Sequence, residues 1–440
     1  MNSFHAFQCR MAKHLITKSL LRRSDHLTVN CLIKVHISYE TKNTQNDISD
    51  ALNTYTDLKL TPLKIRTCEF GKSFSHAHIR CEKFTCTVEE SGEQGKINPA
   101  VSIKGIYNDG FDFLNNYING KLEVDLSDPV DVNRTSAFLK LYKFFSKKFY
   151  NIVQKLVMLV FSEYHERCLK RKGRDIFDDK PKSYVTALLT NHLLSKLVLG
   201  KEHITSRNLP DKPLFCPCFN AVNCQKPIEY GHTGLGYEKF WYGRPDVVLS
   251  ADNELQQNCV MVREDRKTNN QSRDFEKELC SEIDEKTKDE EVAMTSQALA
   301  QCITFAYSRS NMKKRCQNIA LNGTLIPTLV LTPNEYFVYM YDYEHDVLLK
   351  SGPSDLWDKS RQKFNTSAIL QIWMLLNHMN FDTCLSQNQV NYLGKSANFH
   401  NISGEKFTLS ELTENVSFKS CFVKCKKAHD MNLFPELAIN

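Results

Sequence analysis

The chain has 440 residues, 41% of them hydrophobic and 25% charged, an ordinary balance for a soluble globular protein long enough for two or three domains. Its longest apolar run, residues 152–161, is broken by Gln154 and Lys155 and is too short to cross a bilayer, so no membrane association is expected. The net charge of +6, from 57 basic and 51 acidic residues, permits a nucleic-acid partner without requiring one.

Sixteen cysteines scattered along a long chain, with no opening secretory apolar segment, read as reduced thiols of an intracellular protein, nuclear or cytoplasmic. The first 24 residues hold Arg10, Lys13, Lys18, Arg22 and Arg23 and no acid. That composition fits a basic first helix or arm, and also a mitochondrial transit peptide.

Alternation from Leu27 to Ser38 predicts a strand, and the Thr/Asn/Asp-rich stretch from Glu40 to Asp57 a loop. Residues 61–135 hold short strand candidates such as Phe84–Val88, and residues 1–135 together form an N-terminal region of no recognisable type. From Ser136 apolar residues recur at three- and four-residue intervals to about Cys168, a helical pattern, and a second helix is expected over Tyr184–Val198. Residues 205–235 read as loop.

A hairpin follows. Phe240 to Leu249 and Val260 to Lys267 are two apolar runs, separated by the polar stretch after Ser250. If they pair, Asp246 and Asp265 can converge at one end of the sheet, with Lys267 on the same face as Asp265. Carboxylates are the hard oxygen ligands that Mg²⁺ requires, and a nearby lysine can orient a nucleophile or stabilise charge.

The charged stretch 269–291 reads as a solvated insertion, or less simply as an acidic lid that repels phosphate. A helix is expected from Val292 to Ser310, with Gln297 and Gln301 one turn apart beside its apolar stripe. Strands follow over Leu325–Val330, Tyr336–Tyr341 and Asp346–Leu349, then an amphipathic helix over Ser367–His378. Residues 381–440 read as a polar, irregular tail.

The order helix, three strands, helix, strand, with Pro245-Asp246 and Asp265-Arg266-Lys267 at strand ends 19 positions apart, resembles the PD-(D/E)xK nuclease superfamily over about residues 136–350. The resemblance implies an α/β fold of restriction-endonuclease type, a small mixed sheet flanked by helices, in a domain spanning 136–380. It implies that Asp246, Asp265 and the backbone carbonyl of Arg266 ligate Mg²⁺ or Mn²⁺ while Lys267 positions the attacking water. Gln297 or Gln301 would contact phosphate or water, and Glu163 or Glu166 would be the additional acid of the first core helix. The activity so implied is metal-dependent hydrolysis of DNA or RNA phosphodiesters. The alternative is a nuclease-fold protein without catalysis that binds nucleic acid or acts as a scaffold.

A second metal reading comes from Cys216-Pro217-Cys218 and Cys224, three thiols that can hold structural zinc with His232 as fourth ligand. The spacing is not that of a standard finger, and free thiols on a loop are the other reading. His76, His78, Cys81 and Cys86 form a looser group, as do Cys421, Cys425 and His429.

Overall fold

The computed structural model describes residues 32–33, 42–145, 182–262, 280–315 and 323–418, apart from short interruptions inside those ranges. Asp265, Arg266 and Lys267, the glutamates at 163 and 166, and the group at Cys421, Cys425 and His429 lie outside the described residues.

The fold is mixed α/β, organised on one large sheet. Its main strands are β1 (Lys59–Cys68), β2 (Ile79–Lys83), β3 (Glu202–Ser206), β4 (Val247–Ser250), β5 (Gln257–Val262), β6 (Leu325–Leu331), β7 (Glu335–Asp342) and β8 (Val347–Ser351). They lie side by side in the order β3-β4-β5-β6-β7-β8-β1-β2, with the short strand Tyr230–Gly231 outside β3. Every pairing among β1 to β8 is antiparallel except β5 with β6, which is parallel. A parallel pair needs a crossover, and helix Cys280–Arg315 lies between those two strands in the chain.

Side-chain alternation in β6 shows why both faces are covered. Leu325, Leu329 and Leu331 point into one core and Ile326 and Val330 into the other, so all seven positions of the strand are buried. The first core also takes residues from helices α1 (Lys42–Asn53), α2 (Asn108–Ile118), α3 (Pro129–Phe145), α4 (Lys182–Leu189) and α6 (Thr366–Leu376). The second takes Ala298, Leu299, Cys302, Ile303, Phe305 and Ala306 from α5 (Cys280–Arg315).

Four sequence expectations are corrected. Lys42–Asn53 is a helix and not a loop, because Ile48, Ala51 and Leu52 share a face that packs on the core despite the polar composition. The crossover helix begins at Cys280, so residues 280–291 of the supposed insertion are helical. Their sequence spaces Glu282 from Lys286 and Asp284 from Lys288 at i,i+4, which supports a helix. The run from Phe240 to Leu249 is split. Trp241–Gly243 joins a small separate sheet, and β4 starts only at Val247, since Pro245 can donate nothing to a ladder.

The fourth correction concerns the supposed tail, which is folded at least to Phe418. It forms α7 (Gln387–Leu393), α8 (Phe399–Gly404), α9 (Leu409–Asn415) and a short strand, and it covers the outer side of α5. The side-chain amide of Asn311 on α5 donates to the carbonyl of Val416 at 2.6 Å. Asp346 accepts backbone N–H bonds from Phe399 and His400 at the start of α8. The N-terminal region also belongs to the main sheet, because β1 pairs with β8.

Candidate active site and metal centre

Asp246 stands at the start of β4, immediately after the residue that breaks the preceding strand. The register pairs Val247 with Val260 on β5 and with Thr205 on β3, so Asp246 sits at the end of a three-stranded antiparallel meander. Its backbone is fixed by Ser206 N–H donating to its carbonyl at 2.8 Å, and the hydroxyl of Thr233 donates to the carbonyl of Pro245 at 2.7 Å. The residue is 6% exposed. One carboxylate oxygen accepts from the backbone N–H of Val262 at 2.9 Å, and the other lies 2.8 Å from Nζ of Lys182 at the start of α4. A buried carboxylate is tolerated only when satisfied in this way.

The carboxylate faces a cleft of about 560 Å³. Lys182, Arg244 and His232 are the basic groups of its lining, Asp246 and Glu238 the acids. Gln297 of α5 lines the same cleft, so the structure brings together two of the residues expected from sequence. Gln301 does not line it. It is buried one turn further along α5, and its amide nitrogen has no hydrogen-bond partner. Asp265, Arg266 and Lys267 follow β5, whose last residue is Val262, and are outside the described residues.

Several lining residues escape a sequence reading. Lys182 opens a helix that has no motif. Gly234 and Gly236 belong to a glycine-rich run that no helix follows, as a phosphate loop would require, and yet they form part of the cleft wall. Gly236 has φ of +109°, and a Cβ there would lie 2.1 Å from the carbonyl oxygen of Trp241. Gly236→Ala is therefore expected to destabilise the protein by more than the ~1 kcal/mol of an average substitution. Urea denaturation checks it, and a change below that value would show that the lip is not rigid.

A second constellation joins the loop that follows β3 to the turn that continues α4. His192, Cys216, Cys218 and Cys224 place one nitrogen and three sulfur atoms within 4.8 Å of one another, the only such His/Cys/Asp/Glu grouping among the described residues. Nε2 of His192 is 3.2 Å from Sγ of Cys216 and 3.9 Å from Sγ of Cys224, and the sulfurs of Cys218 and Cys224 are 2.9 Å apart. Cys216 and Cys218 are buried. The two arms of the loop are pinned by N–H of Cys216 donating to the carbonyl of Lys226 and N–H of Ile228 to that of Leu214. Burial, aided by Lys196 and Lys226, lowers His192 to about 4, which keeps its imidazole neutral and able to donate a lone pair. Burial raises the thiols of Cys216 and Cys218.

This set corrects the fourth ligand expected from sequence. His232 belongs to the cleft, where its Nδ1 accepts from Gly234 N–H at 3.1 Å. His192 takes its place because Thr190–Leu194, which continues α4, is wound as a π-turn, a local widening frequent at functional sites. The looser group at His76, His78 and Cys81 does not gather, and Nδ1 of His76 is engaged by Ser73 Oγ at 2.8 Å.

Among the described residues no helix is long and apolar enough to cross a membrane. No protein-family model, curated protein or solved structure matches the chain.

Proposed function

We propose that the Asp246 cleft hydrolyses phosphodiester bonds of DNA or RNA with Mg²⁺ or Mn²⁺. The observation that supports this best is the meeting of Asp246 and Gln297 in one cleft, the first from the hairpin strand and the second from the crossover helix. The order α4, β3, β4, β5, α5, β6, with β5 parallel to β6, agrees with the restriction-endonuclease-like core that the Pro-Asp and Asp-x-Lys spacing suggests. That likeness is an analogy of fold, and chemistry resides in the residues of the site.

Asp265 is three residues beyond Val262, a span of at most about 11 Å, and the N–H of Val262 touches Asp246. Carboxylate and carbonyl oxygens from Asp246, Asp265 and Arg266 are the donor set that suits Mg²⁺, with Lys267 to orient water. A divalent cation there would supply a more acidic water and neutralisation of phosphate charge. Lys182 and Arg244 would meet phosphate oxygens, and Gln297 would donate to phosphate or hold the water.

The test is cleavage of single- and double-stranded DNA and RNA with each metal. Asp246→Ala and Asp265→Ala are each expected to lower the rate by about 100-fold or more, the scale on which one charge-stabilising group acts. Cleavage unchanged in both variants would sink the site. The ion pair between Lys182 and Asp246 favours a second reading, a binding module in which the ammonium has replaced the cation. Binding that weakens with salt and ignores divalent metal, without cleavage, would decide for that module.

A further inference from the structure

We infer that His192, Cys216, Cys218 and Cys224 bind one structural Zn²⁺, and that this ion fixes one wall of the cleft by tying the loop after β3 to the helix that bears Lys182. The donors come from two separate elements. His192 lies on the π-turn that continues α4, and the three thiols lie on the arms of the loop between β3 and the strand Tyr230–Gly231. Their atoms converge on a single point, within 4.8 Å of one another. A tetrahedral zinc with sulfur at about 2.3 Å and nitrogen at about 2.0 Å demands ligand–ligand separations of about 3.5–3.8 Å, so small side-chain adjustments complete the shell.

Thiolates with one imidazole select zinc over the hard cations that carboxylates prefer. Four protein ligands also leave no open position, which makes the ion structural and keeps it out of the chemistry at Asp246. The same loop segment begins, just after Ser206 at the end of β3, with the cleft residues Asn208, Leu209 and Pro210. A second tie, from the hydroxyl of Ser183 to the carbonyl of Asp211 at 2.9 Å, joins the loop to the first turn of α4 next to Lys182. The apolar patch under the thiols is small, with Ala187, Cys216, Cys218 and Ile228 as its buried members. So small a cluster gives the loop little hydrophobic support of its own, and a metal crosslink would supply the rest.

Zinc binding at these four residues needs no nuclease activity and is measured without nucleic acid or Mg²⁺. Full-length protein purified under reducing conditions should contain close to one zinc per chain by elemental analysis. His192→Ala and the double variant Cys218→Ser/Cys224→Ser should lose it by about 10-fold or more, while Cys384→Ser, which removes an exposed thiol elsewhere, should keep it. Wild-type protein needs no variant to fold. Replacing its metal with Co²⁺ should give thiolate-to-metal absorption, and zinc should protect Cys216, Cys218 and Cys224 from alkylation while leaving Cys384 reactive. Metal removal should lower the melting temperature, with recovery on adding Zn²⁺ but not Mg²⁺. Wild-type protein without zinc, giving no thiolate–cobalt bands, would overturn the inference. So would recovery of Cys218 and Cys224 as a disulfide, or zinc retained in the double variant.

Discussion

Phe399→Ala is expected to destabilise the protein by about 3–5 kcal/mol, the range for truncating a fully buried aromatic residue. Phe399 is 0% exposed, and its ring meets those of Phe70, Phe240, Trp241, Tyr307 and Tyr341 at centroid separations of 5.8–6.2 Å. Those five residues come from four distant parts of the chain, so one ring joins the N-terminal region, the segment before Asp246, α5 and β7. All five contacts are edge-on or tilted, the arrangement that the aromatic quadrupole favours. Truncation would leave a cavity that the surrounding rings cannot close without moving Trp241, whose Nε1–H donates to the carbonyl of Glu69 at 2.7 Å. Urea denaturation of Phe399→Ala beside Tyr392→Ser, a residue of the same segment that is 42% exposed, provides the comparison. Tyr392→Ser is expected to change stability by less than about 1 kcal/mol. Equal effects at the two positions would refute the view that the C-terminal segment is an integral layer of the fold.

The place of Phe399 also explains what composition could not reveal. Averaged over residues 381–440 the sequence is polar, but a segment that covers a helix needs only a few apolar anchors, here Phe399, Leu412 and Val416. Where burial is two-sided the signal was plain, as in Leu325–Leu331, and where turn chemistry is local it was equally so. Asn365 caps α6 by accepting from Ser367 N–H at 3.0 Å, close to the start expected at Ser367. Asp246 could be singled out because it stands in a Pro-Asp pair within one apolar run, with a second run ending in Asp265 and Lys267 close behind it. Lys182 and His192 could not, because each acquires its role only through tertiary placement. His192 stands 24 positions before Cys216, and the π-turn that presents it leaves no mark in a 3.6-residue period.

The second large effect is on the acid side. His378 is 1% exposed, its Nδ1 lies 3.1 Å from the carbonyl of Leu375 and its Nε2 has no partner. Burial, reinforced by the neighbouring Arg309 cation, pushes its pKa down to about 3 from the ordinary 6.5, against a smaller opposing effect of the Leu375 carbonyl. The unfolded chain therefore takes up a proton near pH 6.5 that the folded chain refuses until about pH 3. Its stabilising share is fully present above the unfolded value and is lost progressively as pH falls through that window. The slope approaches about 1.4 kcal/mol per pH unit, so by pH 5 this one residue removes about 2 kcal/mol. His203, lowered to about 4 mainly by burial, acts in the same direction. His378→Gln keeps a hydrogen-bond donor and removes the titration. Unfolding free energies of both proteins at pH 7 and pH 5 isolate the effect, since groups common to the two cancel in the double difference. The variant is expected to lose about 2 kcal/mol less than the wild type over that interval. An identical loss in both proteins would mean that His378 titrates in the folded state as it does in the unfolded chain, and that the carbonyl of Leu375 offsets burial and Arg309.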